Sequence, residues 1–256
     1  MSSSQNGSPL KDTQPAREIE AAGAGDESTQ APFRSGSDWI AEVSHELRLP
    51  IANIKLLVET ILEGAIDDRD AALRMLARTK QEVQRLEALV SDLMSMEEVT
   101  HNRDEMKRRA VLLADAARYA QDSVAKLAFE KEIRVQTEIE PGFTINANPD
   151  QLNQVLLNLV ENAVKYTPTG GEVVIKSGAR PGSFSVSDNG IGIPAQEIPK
   201  IFKRFYRVNR TRAPGSTGLG LSIVKHIVEL HGGKISVQSQ ELGGSTFFLD
   251  FPEGAS

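Results

Sequence analysis

Ile40, Val43, Leu47, Ile51, Ile54, Leu57 and Ile61 recur at spacings of three and four, which draws one apolar stripe down a helix. Ser37 or Asp38 is the expected N-cap of this helix. After EGAIDDRD a second helix follows, with Leu76, Val83 and Val90 at heptad spacing and Leu86 and Leu93 interleaved. Two amphipathic helices joined by a short loop make a helical hairpin. A lone hairpin leaves its stripe half exposed, so the pattern predicts a four-helix bundle built from two copies of the chain.

The pattern changes twice more. Residues 1–36 are rich in Ser, Gly, Ala, Gln and Pro and hold almost no large apolar side chains, so they read as a disordered tail. Beyond THNRDEMKRR the chain turns α+β. Residues 110–129 read as a helix and EIRVQTEIE as a strand, followed by the strong helix PDQLNQVLLNLVENAVKYT. EVVIKS, SFSVSD, KISVQS and STFFLDF read as strands, and LGLSIVKHIVELHGG is a helix stopped by Gly232. The expected organisation is therefore a tail (1–36), a hairpin domain (37–103) and an α/β sandwich in which helices cover one face of a sheet (104–254).

Bulk properties narrow the function. A net charge of −6 argues against a protein that grips nucleic acid by neutralising phosphates. The absence of cysteine removes disulfides and thiolate metal sites and fits a reducing compartment. No apolar run approaches the ~20 residues of a membrane span, and the N-terminus lacks the apolar core of a secretory signal, so the chain as given reads as soluble.

Four stretches of the second domain carry chemistry. Asn158 and Asn162 stand at i and i+4, with Lys165 and Tyr166 one turn on. Amide oxygens at that spacing can hold a hard cation such as Mg²⁺, and Lys165 can add a point charge to a phosphate. DNGIGIP follows a strand: Asp188 can accept a hydrogen bond from an exocyclic amine, and Gly190 and Gly192 let backbone approach a flat ligand. IFKRFYRVNRTRAPG is basic and aromatic, the composition of a lid over phosphates. GSTGLGL then opens a helix, and its glycines free backbone N–H groups where anions are favoured. Each stretch alone equally fits a solvated helix face, a glycine turn or a charged loop. Their joint occurrence in this order does not.

Together these residues resemble the sensor histidine kinases of two-component systems. SHELRLPI (44–51) is similar to the family's phospho-acceptor box, NLVENAVKYTP to its N-box, and DNGIGIP and GSTGLGL to its two glycine boxes. IFKRFYRV is similar to the phenylalanine box and LGGSTFFLDF to the terminal strand motif, so the resemblance covers about residues 37–254. It implies a dimerisation and phosphotransfer hairpin followed by an ATP-binding domain of the gyrase, Hsp90 and MutL type. On that resemblance His45 is the phospho-acceptor, Glu46 its acid/base partner and Arg48 a phosphate contact. Asn158 and Asn162 would hold Mg²⁺, and Lys165, Tyr166, Asp188, Gly190, Gly192, Gly215, Thr217, Gly218, Leu219 and Gly220 would bind ATP. The implied partners are a second copy of the chain and the receiver domain of a response regulator. The implied place is the cytoplasm, or the cytoplasmic part of a longer membrane sensor.

The chemistry is coherent from the side chains up. Histidine's unperturbed pKa near ~6.5 leaves much of it neutral and nucleophilic near pH 7. A carboxylate on one ring nitrogen fixes the tautomer and leaves the other nitrogen to attack. Pro50 removes the N–H that would reach the Glu46 carbonyl, which predicts a bend near His45. His101, His226 and His231 read as a linker, a helix and a helix-end residue. Two positions depart from the family: Ser216 replaces a common glycine, and Leu49 stands where relatives carry Thr or Asn. Leucine cannot hold water against an aspartyl-phosphate, so weak or absent phosphatase activity is expected. The rival readings are a non-catalytic nucleotide-gated scaffold and a gyrase-type ATPase, which would need a catalytic Glu at the place of Asn158.

Overall fold

The structure, a computed structural model, describes residues 36–101, 107–208 and 217–253. The expected tail therefore lies outside the described residues, except Gly36, where the first helix begins.

Helix α1 (Gly36–Leu62) runs on through Pro50, a 3-10 turn (Ala65–Asp67) reverses the chain, and α2 (Arg69–His101) returns. Because α1 starts at Gly36, Ser37 and Asp38 sit in its first turn instead of capping it. Asp68 caps α2, its Oδ1 accepting from the N–H groups of Asp70 and Ala71 at 3.0 Å each. The two helices pack on one another along Leu47, Ile54, Leu57, Ile61, Leu86, Leu89 and Leu93, all buried or half-buried. Ile40, Ile51, Val58, Leu62, Leu73, Leu76, Val83, Val90 and Met94 stay exposed as a second stripe.

The second domain begins with a strand that periodicity did not show. Residues 110–129 were expected to be one helix; instead β1 (Arg109–Leu112) leads into α3 (Leu113–Glu130). After β2 (Arg134–Glu138), β1 finds its antiparallel partner in β3 (Thr144–Ala147). Four residues are too few for alternation to stand out. Next come α4 (Pro149–Tyr166), β4 (Glu172–Ser177) and β5 (Ser183–Asp188). A 3-10 turn (Ile198–Lys200), α5 (Gly220–Leu230), β6 (Lys234–Gln240) and β7 (Gly244–Asp250) complete the order. The main sheet runs β2-β4-β5-β7-β6, parallel at β2–β4 and antiparallel elsewhere.

One face of this sheet is apolar: Val173, Ile175, Phe184, Val186, Val237, Phe247 and Leu249 alternate along four strands and are buried. Helices α3, α4 and α5 cover that face. Leu152, Val155, Leu156, Leu159 and Val160 of α4 are all 1% exposed or less, so the expected apolar face of this helix is the centre of the core. Both ends of α4 are fixed. Asn148 caps its start, accepting from Asp150 N–H at 3.0 Å and Gln151 N–H at 3.2 Å, with Pro149 in the first turn. Lys131 closes its end, donating to the carbonyls of Val164 at 2.7 Å and Lys165 at 2.8 Å.

Candidate active site

A cavity of about 640 Å³ opens between α4, the end of β5, the loop before α5 and the β6–β7 turn. Asn158, Asn162, Lys165, Tyr166, Asp188, Gly192, Thr217, Gly218 and Gly220 line it, although they come from three separated motifs. Gly190 sits just behind the wall, its N–H donating to Asp188 Oδ1 at 2.8 Å. Leu219 is fully buried beneath the loop and does not face the cavity. Gly215 and Ser216 lie outside the described residues.

The amide pair sits against the glycine loop. A Cβ on Gly220 would lie 3.3 Å from Asn158 Oδ1 and 3.7 Å from Asn162 Nδ2, so a glycine here keeps room above both amides. Asn158 is 7% exposed, and its Nδ2 is buried with no hydrogen-bond partner. Oxygen and nitrogen of an amide exchange places by a flip, so Asn158 can offer either atom to a ligand. Among the described residues no cluster of three or more His, Cys, Asp or Glu forms a ready cation site. The two amides are among the oxygen donors of this end, which fits a hard cation that also takes ligand phosphates and water.

Two glycines have a backbone reason. Gly192, at φ +64°, passes so close to the β6–β7 turn that a Cβ would fall 1.9 Å from the Gln240 carbonyl oxygen. Gly218, at φ +80°, lies on Phe205, which itself sits at φ +57° and packs against the core. The phenylalanine stretch thereby supports the second glycine loop.

Asp188 is tuned by its surroundings. Burial raises its carboxyl above the usual range, while the N–H groups of Gly190 and Ser245 pull it back. Ser245 borders the cavity from β7, a position that sequence reading missed because the terminal motif reads as a plain strand. Lys165 is paired with Glu161 at 2.8 Å, so its ammonium is already held toward this end of the cavity.

The histidine box lies apart. His45, Glu46 and Arg48 do not line the cavity, and the His45 side chain is 78% exposed. Glu46 Oε1 is 3.8 Å from His45 Nδ1, an ion-pair distance and not a hydrogen bond. Its other oxygen, Oε2, is 3.6 Å from Arg85 Nη2 on α2, and Arg85 Nη1 is 3.9 Å from Glu82 Oε2. Glu82 in turn accepts from Asn53 Nδ2 at 3.2 Å. Arg85 carries no local motif and was not singled out in the sequence; only the packing of α1 on α2 brings it to Glu46. Leu49, one turn beyond His45, is 47% exposed.

His231, read as a helix-end residue, is fully buried. Its Nδ1 faces the Ile227 carbonyl at 2.8 Å, its Nε2 accepts from Asn148 N–H at 3.1 Å, and Phe251 meets it edge-on at 5.4 Å. It links the end of α5 to the cap of α4. Burial lowers its pKa, the Ile227 carbonyl works against this, and the nearby Arg108 charge lowers it further.

Both domains match families of known proteins. Residues 36–102 match the model of the His Kinase A (phospho-acceptor) domain. Residues 147–255 match that of the histidine kinase-, DNA gyrase B- and HSP90-like ATPases. The chain is 34% identical over 224 residues to the sensor histidine kinase WalK of Bacillus subtilis, covering 84% of this chain and 36% of that one. It is 35% identical over 229 residues to the sensor protein kinase WalK of Staphylococcus epidermidis, covering 86% of this chain and 37% of that one. The chain thus spans little more than a third of the length of these relatives. Among solved structures, full-length ShkA in complex with AMPPNP is 27% identical with a TM-score of 0.60 over 86% of this chain and 46% of that chain. The histidine kinase AdeS of Acinetobacter baumannii shares the fold at 21% identity, with a TM-score of 0.65 over 82% of this chain and 98% of that one.

Proposed function

The chain belongs to the sensor histidine kinases of two-component systems, and from that membership we propose that it is an ATP-dependent protein-histidine kinase. In this reading it phosphorylates His45 and passes the phosphoryl group to an aspartate of a response-regulator receiver domain. The observation that carries the reading is the cavity in which an amide pair, a buried aspartate and a glycine loop meet, together with the unpartnered amide of Asn158.

Asp188 would accept from the adenine amino group, with Gly190 and Gly192 shaping that end of the pocket. Asn158 and Asn162 would hold Mg²⁺, and Lys165 and the N–H groups around Thr217, Gly218 and Gly220 would meet the phosphates. Bound Mg²⁺ supplies charge neutralisation on the phosphates. His45 attacks through Nε2, because Nδ1 is the nitrogen turned to Glu46. The Nε2–P bond forms as the bond from the γ-phosphorus to its bridging oxygen breaks, and ADP leaves with that electron pair. The Nδ1 proton passes toward Glu46, which must close about an ångström to reach hydrogen-bond range. Positioning and charge supply most of the acceleration in such transfers. His45 stands outside the cavity here, so transfer requires the two domains to change their relation, within one chain or across a pair.

The exposed stripe from Ile40 to Leu62 and from Leu73 to Met94 supports a homodimer in which a second hairpin completes a four-helix bundle. No described helix is long and apolar enough to cross a membrane. A cytoplasmic place, as part of a longer sensor, is consistent with the span of the chain against its relatives.

The test is incubation with γ-labelled ATP and Mg²⁺. Acid-labile, base-stable label that disappears in His45→Gln is the expected result. Normal ATP binding with no label would favour the scaffold reading instead.

A further inference from the structure

One wall of the cavity comes from the hairpin. Ala88 and Asp92 of α2 line it alongside the second domain. Asp92 Oδ2 accepts a hydrogen bond from the Thr217 hydroxyl, and the same hydroxyl oxygen accepts from Leu219 N–H at 3.2 Å. A carboxylate on one domain is thereby tied to the loop that opens α5 on the other. Burial raises the Asp92 carboxyl, the Thr217 hydroxyl pulls it down, Glu161 raises it and Lys165 lowers it. Those neighbours mark where the carboxylate sits: beside the Lys165–Glu161 pair and the glycine loop, the end assigned above to phosphates.

Other contacts hold the domains in the same arrangement. Leu89 is 4% exposed and continuous with the core of the second domain, with Leu47 and Leu93 packed against it. Glu42 of α1 lies within electrostatic reach of Arg204, inside the phenylalanine box. Among the polar contacts between the domains described here, the one from Asp92 reaches into the cavity.

We propose that Asp92 is a nucleotide-sensitive latch. In the empty protein its carboxylate holds the hairpin against the second glycine loop, and the triphosphate of ATP displaces it. The inference rests on the ATP-binding reading and extends it. Two anions compete for the Thr217 hydroxyl and for the field of the Lys165 ammonium. Adenosine lacks the competing charge and would leave the latch shut. Displacement frees α2 from the cavity wall and lets the hairpin that carries His45 move relative to the γ-phosphate. Occupancy of the pocket is then what permits the domain movement that transfer requires.

The chain has no cysteines, so spin labels can be placed at two introduced ones, at the exposed positions Gln81 on α2 and Lys126 on α3. The experiment measures the label distance with and without a non-hydrolysable ATP analogue, and the affinities for that analogue and for adenosine. It does so in the parent chain, Asp92→Ala and the isosteric Asp92→Asn, which guards against a folding failure of the alanine variant. The analogue, but not adenosine, is expected to broaden or lengthen the distance in the parent. Asp92→Ala should show the released distance without ligand. Both variants should bind the analogue about tenfold more tightly, the effect of removing one nearby like charge across a partly solvated gap, with adenosine affinity unchanged within about twofold. Equal analogue affinity in all three, with an unaltered ligand-free distance, would overturn the latch and leave ATP binding standing. An equal gain for adenosine would also overturn it, since space and not charge would then be responsible. If neither the parent nor the variants bind the analogue, the ATP-binding reading falls and the latch falls with it.

Discussion

Replacing His231 by phenylalanine removes two hydrogen bonds while keeping a ring of similar size against Phe251. The Ile227 carbonyl retains the His231 backbone N–H at 3.1 Å, so the group left without an acceptor is Asn148 N–H. An orphaned N–H costs about 1–3 kcal/mol when buried, and about 1–2 kcal/mol is the fitting part of that range because Asn148 is only half-buried. For a chain of this size each kcal/mol moves the melting temperature by about 2–4 °C, so the variant should melt about 2–8 °C lower at pH 7.5. The pH dependence sharpens the expectation. To accept from Asn148, Nε2 must be unprotonated, and burial lowers the pKa of this histidine in the folded chain. The unfolded state therefore takes up the proton first as pH falls. The stabilisation is fully present above the unfolded value near ~6.5 and is lost below it, at up to ~1.4 kcal/mol per pH unit. Scanning calorimetry of both proteins from pH 7.5 to 5.5 isolates this one group, since every other titration is common to the pair. The gap in melting temperature should narrow on acidification. A gap that stays constant, or widens, would refute the reasoning.

Gly192→Ala places a Cβ 1.9 Å from the Gln240 carbonyl oxygen at a left-handed φ, so it should destabilise the domain by about 1–3 kcal/mol and weaken ATP binding at least tenfold; a folded variant with unchanged affinity would count against the site. Leu49→Thr puts a hydroxyl on the exposed face one turn from His45, and a receiver domain carrying an aspartyl-phosphate should then lose its label faster than with the parent chain. Rapid dephosphorylation by the parent itself would remove the role assigned to Leu49. Stripping Mg²⁺ with a chelator should abolish labelling of His45, and Asn158→Ala should raise the Mg²⁺ concentration needed for half-maximal labelling; an unchanged requirement would remove that amide from the metal site.

What the sequence disclosed follows from how local each feature is. The five strands of the main sheet and α4 carry their periodicity in consecutive residues, and the glycine boxes carry their chemistry in short runs, so both are legible in order along the chain. Features made by two distant segments are not. β1 and β3 are four residues each and become a sheet only through one another. Arg85, Asp92 and Ser245 look like ordinary helix and strand residues until α2 meets α1 and the glycine loop, and β7 meets β5. His231 gives no clue either, because its role is to join Asn148 to Ile227 across 83 positions of chain in one direction and a single helical turn in the other.

The row from His45 through Glu46, Arg85 and Glu82 to Asn53 crosses twice between the two helices of the hairpin. Glu46 rides on the same helix as the nucleophile, whereas the cation that compensates it rides on the other. Sliding or rotating α1 against α2 therefore changes how much of the Glu46 charge remains available to the imidazole. A displacement arriving along the helix axes becomes a change in the distance between Glu46 and one nitrogen of the imidazole.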